Sequence, residues 1–67
     1  MNEILFIVEE SQEAGYSARA LGESIYTEAD DMQLLHVAVR DAVHCHFNNS
    51  KPQIIRLYIV REEVIAL

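Results

Sequence analysis

Apolar positions along this chain follow two different periods, and the change between them outlines the fold. Ile4-Leu5-Phe6-Ile7-Val8 is apolar at every position, so a strand over 2–9 would be greasy on both faces. Ile4, Phe6 and Val8 share one face, and Leu5 and Ile7 the other. A polar stretch over 10–15 then ends in Gly15, as a hairpin loop should. Over 16–21, Tyr16, Ala18 and Ala20 alternate with Ser17, Arg19 and Leu21, which predicts a second strand. Gly22-Glu23 suits a two-residue turn with Gly at its first central position. A third strand is expected over 24–28, with Ile25 and Thr27 opposed to Tyr26.

After Ala29-Asp30-Asp31 the period becomes helical. Either aspartate can cap a helix, and Asp30 with Gln33 three residues on would complete a capping box. Leu35, Val39, Ala42, Val43 and His46 then fall on one stripe of a helix over 32–47. Asn48-Asn49 is the expected stop, and Pro52 confirms it. A fourth strand is predicted over 53–61, with Ile55, Leu57 and Ile59 on one face, and Glu62 to Leu67 should pack rather than dangle, with a neighbouring subunit as one surface to receive them.

The order is therefore β-β-β-α-β, an α+β domain over 1–67 with no linker or repeat. A right-handed crossover would lay strand four parallel to strand one and give the sheet order 3-2-1-4. One helix covers one face only. If it lies on the Phe6 side, where Ala18 and Ala20 allow close approach, the other side stays open. Leu5, Ile7, Arg19, Leu57 and Ile59 would share that open face, with Tyr26 near its edge, and form an oligomer or partner interface. A two-sided strand fixes no phase, so the reverse assignment stays open; it would leave Ile4, Phe6 and Val8 needing cover instead.

Size makes the same demand. A chain of 67 residues buries only about 60% of its unfolded surface, and small domains usually add disulfides, metal or self-association. The single Cys45 excludes an internal disulfide and suits the reducing cytoplasm. Self-association, as a homodimer or higher oligomer, is what remains. The apolar run is too short for a membrane span. Eleven acids against five bases give a net charge of −6, which disfavours nucleic acid and anionic lipid; it either favours a basic protein surface or serves only to keep a small protein soluble.

Nothing in the sequence marks an enzyme or a cofactor. His44 and His46 are two apart on the helix and point to nearly opposite sides, so His36, His44, Cys45 and His46 do not converge on a metal. His46, on the apolar stripe, is expected to pack and bond a backbone carbonyl. Cys45 reads as a small, partly buried hydrophobe. Glu9, Glu10 and Glu13 lack the residue order of a calcium loop. No nucleophile elbow or phosphate loop is present.

Gly15-Tyr16, Ala20-Leu21-Gly22, Thr27-Glu28-Ala29-Asp30-Asp31 and Arg40-Asp41-Ala42-Val43 together resemble HicB-type antitoxin domains along nearly the whole chain. The resemblance implies a partial RNase H-like fold of this element order. It also implies self-association and occlusion of a small basic toxin that cleaves RNA. The turn lacks the Pro that such domains often place before the Gly. No helix-turn-helix or ribbon-helix-helix segment lies within the 67 residues, so repression through DNA is not implied. An orphan oligomer without a toxin is the alternative.

Overall fold

The computed structural model describes residues 3–11, 15–47 and 52–67. Strand β1 (Glu3–Ser11) is followed by β2 (Gly15–Ala20), β3 (Tyr26–Ala29), helix α1 (Met32–His46) and β4 (Ile54–Val60). They form one sheet in the order β3-β2-β1-β4. β1 pairs antiparallel with β2 and parallel with β4, as the crossover argument requires. The expected Asn48-Asn49 stop lies outside the described residues, as does most of the loop before Gly15.

The helix lies on the Phe6 side. Ile4, Phe6 and Val8 of β1, Ala18 and Ala20 of β2, and Ile25 form one buried cluster with Leu35, Val39 and Val43 of α1. The spacing of the three helix residues places them on one stripe, and Phe6 and Leu35 are fully buried at its centre. Removing the Phe6 ring would cost about 3–5 kcal/mol, comparable with the whole stability of so small a domain.

The ends of α1 settle the capping question. Asp31, not Asp30, is the N-cap, and its Oδ1 accepts a hydrogen bond from the Leu34 backbone N–H at 2.8 Å. The third helical position is thus Leu34, and the Asp30–Gln33 box does not form. Phe47 is the C-cap; its N–H donates to the Val43 carbonyl. The β2–β3 connection also differs from the expected two-residue turn. β2 ends at Ala20 and β3 begins at Tyr26, with the Ala20 N–H donating to the Ile25 carbonyl at 3.0 Å. Burying Ile25 in the core pulls it out of the strand face and lengthens the loop.

Two glycines have positive φ, and they differ in what surrounds them. Gly15 (φ 77°) starts β2 directly against the backbone of Ala29 and Asp30, where a Cβ would collide with both carbonyl oxygens. Gly22 (φ 85°) faces open space. Gly15→Ala therefore combines left-handed strain with a backbone clash and should cost about 3 kcal/mol or more. Gly22→Ala carries the strain alone and should cost about 1 kcal/mol. Urea denaturation of the two variants checks the ranking.

Next to Gly15, at the loop end of the β1–β2 hairpin, Glu10 and Tyr16 are register partners. The Tyr16 hydroxyl donates to Glu10 Oε2 at 3.0 Å. That hydrogen bond, reinforced by the carboxylate's charge, raises the phenol above its usual pKa of 10.0. A raised folded-state pKa means the bond contributes below the ordinary phenol range and is lost as pH rises through the raised value. Glu10→Gln should move the tyrosinate absorbance titration to lower pH.

Candidate interaction surface

The face away from α1 is built by strand alternation and register. Cross-strand partners share a face, so one row runs Tyr26, Arg19, Ile7, Tyr58 across all four strands. A second row runs Glu28, Ser17, Glu9, Val60. Toward the other end, Leu5 sits beside Arg56, and Glu3 beside Ile54. Leu5 and Ile7 are half-buried by these neighbours. Tyr26, Ile54, Tyr58 and Val60 are exposed large apolar side chains.

Charge on this face is largely compensated from within. Arg56 Nε lies 2.8 Å from Glu3 Oε2, and Arg19 Nε 3.9 Å from Glu9 Oε1. The Glu3 hydrogen bond and charge hold the Arg56 guanidinium more firmly protonated than usual. Both pairs are solvent-exposed, where such contacts add at most about 1 kcal/mol. Their effect is to frame an apolar spine with neutralised charge. Tyr26 adds a hydroxyl that donates to Glu28 at 3.3 Å.

The structure thus brings together four of the six expected interface residues, Leu5, Ile7, Arg19 and Tyr26. Leu57 and Ile59 lie elsewhere. Parallel pairing matches Leu57 with Phe6 and Ile59 with Val8, which puts both on the helix side. Leu57 and Ile55 are half-buried against the core, whereas Ile59 is exposed. In place of Leu57 and Ile59, β4 gives the open face Ile54, Arg56, Tyr58 and Val60. Alternation alone could not show this, because β4 is apolar on both sides; the β1 register decides it.

Two further features mark β4. α1 packs closest to β3 and β2, and a groove lined by His36, Val39, Arg40, Ile55 and Leu57 opens between the helix and β4. Beyond Val60 the chain runs on without regular structure, and Val64 and Ile65 are 83% and 80% exposed. The expected packing of 62–67 is therefore absent within the chain.

The helix histidines are arranged differently from the expectation. His46 is exposed, its Nε2 lies 3.1 Å from Glu23 Oε1, and its ring meets Phe47 edge-on at 4.8 Å. A carboxylate partner replaces the backbone carbonyl because the helix end overlies the β2–β3 loop that carries Glu23. Cys45 is exposed rather than partly buried. Among the described residues, no group of three or more His, Cys, Asp or Glu is placed to hold a metal ion. No helix among them is long and apolar enough to cross a membrane.

The face assignment is directly testable. Leu57→Ala should lower stability by about 2 kcal/mol, since a half-buried core contact is lost. Arg56→Ala, one residue away on the opposite and exposed face, should leave the denaturation midpoint nearly unchanged. Denaturation midpoints that reverse this order would contradict the register.

Comparison with known proteins yields two informative relatives. A UPF0150 protein of Thermotoga maritima is 35% identical over 65 residues, covering 97% of this chain and 93% of its own. A UPF0150 protein of Archaeoglobus fulgidus is 48% identical over 48 residues, covering 72% of this chain and 71% of its own. No family model matches the chain, and no solved structure matches it. On the strength of relatives aligned over most of both lengths, the chain belongs to the UPF0150 family.

Proposed function

We propose that this protein is a small cytoplasmic, HicB-like binding module that works as a homodimer or higher oligomer and carries out no catalysis. The observation behind this reading is the sheet face built on Leu5 and Ile7. It is apolar along its spine, rimmed by paired charge, and bare because α1, the one helix among the described residues, lies on the other side. Apolar surface of that kind is the usual mark of an interface. Sedimentation across the micromolar range should find at least a dimer, and a monomer throughout would overturn the proposal.

The net charge of −6 favours one class of additional partner, a small basic protein. In the antitoxin reading that partner is an RNase toxin, and the module covers its RNA-binding surface. Excess module should then suppress RNA cleavage by a small basic protein encoded beside it, with weaker suppression at high salt. Ile7→Asp, which places a carboxylate in the middle of the spine, should weaken this inhibition by about tenfold or more. Undiminished cleavage would reject the antitoxin role and leave an orphan homo-oligomer as the reading.

A further inference from the structure

We propose that two copies of this chain join edge to edge through β4, antiparallel and centred on Leu57, into one eight-stranded sheet. This rests on the homo-oligomeric reading above but places the contact between copies at the sheet edge, so the Leu5–Ile7 face stays open to a further partner. The two edges of the sheet differ in a way that selects β4. β3 is four residues long, carries Glu28 and lies under the helix, all of which blunt an edge. β4 is seven residues long, apolar at all but Arg56, and bonded to β1 on one side only. Among the described residues, no backbone hydrogen bond outside the sheet ladders involves β4. A long, bare edge of this kind is a template for another strand.

Charge identifies the occupant. Two chains of charge −6 repel each other unless they meet where acid is absent. Residues 54–61 contain no carboxylate, and their two guanidiniums are already matched within the chain, Arg56 by Glu3 and Arg61 by Glu10 at 3.9 Å. A strongly basic strand would meet those arginines, and an acidic one would compete with Glu3 and Glu10. A second β4 brings neither conflict.

Register follows from the same side chains. A two-fold axis normal to the sheet keeps both helices on one side and pairs residues antiparallel. Centred on Leu57, it sets Ile55 opposite Ile59 of the other copy, Ile54 opposite Val60, and Arg56 opposite Tyr58. Centring on Arg56 would oppose two like charges, and centring on Tyr58 would set Ile55 against Arg61. Of these three centres, Leu57 matches Ile55 with Ile59 and Ile54 with Val60, and rests the Arg56 guanidinium beside the Tyr58 ring. It also gives the exposed Ile59 an apolar neighbour, Ile55, at the mouth of the groove beside α1.

Disulfide cross-linking tests the edge and the register together. In a Cys45→Ser background, a chain carrying both Ile54→Cys and Val60→Cys should oxidise to a covalent dimer, since the two positions face each other across the axis. Within one chain they are about 20 Å apart, so neither an internal disulfide nor dimers of the single variants should form. Both positions are exposed, and circular dichroism confirms that the variants fold. In the unmodified chain, β4 amides should resist hydrogen exchange at micromolar concentration and lose that protection on dilution. Cross-linking of either single variant alone would overturn the register. Absent cross-linking, or concentration-independent exchange, in a chain that still sediments as a dimer would overturn the edge while sparing the broader reading. A monomer would end both.

Discussion

The contact on which the rest of the molecule depends is that of Leu35, Val39 and Val43 with Phe6, Val8 and Ala18. A single helix has a single apolar stripe, and this one is spent on one side of β1. Because β1 is apolar at five consecutive positions, covering one side leaves Leu5 and Ile7 without a lid. The open face is thus a consequence of the core, not a separate feature. A fold of this size with two-sided strands must either add a layer or present one to a partner.

The position of the helix along the sheet has its own cause. α1 begins two residues after β3 ends, with Asp31 fixing its first turn. The corner between them is packed against Gly15, whose missing side chain lets β2 start against the Ala29 and Asp30 carbonyls. The helix is thereby held over β3 and β2. β4 receives the end of the crossover but little of its cover, which leaves Ile55 and Leu57 half-buried along a groove and Ile59 exposed.

Much of the architecture was legible because period and residue type agreed. The β1 run, the alternation of β2, and the Leu35–Val39–Val43 spacing each pointed to one element, and short connections with right-handed crossover then fixed the sheet order. Legibility failed where a strand is apolar on both sides. In β4, Leu57 and Ile59 could be assigned to either face from sequence, and only pairing with Phe6 and Val8 puts them on the helix side of the sheet. Ile25 was obscured for a related reason: its burial in the core moved it from strand to loop. Glu23 as the partner of His46 bridges 23 residues of sequence, a distance no local pattern encodes.

The two-sided character of β4 bears on how the sheet meets other molecules. A strand whose two faces cannot be told apart by hydrophobicity is one that evolution has not divided into core and solvent sides. Such a strand is dangerous at a bare edge, where natural sheets place lysines, prolines or bulges. Ile54 to Val60 has none of these; its one charge is tied to Glu3. The opposite edge, β3, is short and carries Glu28, so the chain has the means to blunt an edge and does not apply them to β4. Ambiguity in the sequence and exposure in the structure therefore have a single physical origin, an edge strand that is apolar on both faces and little covered by the helix.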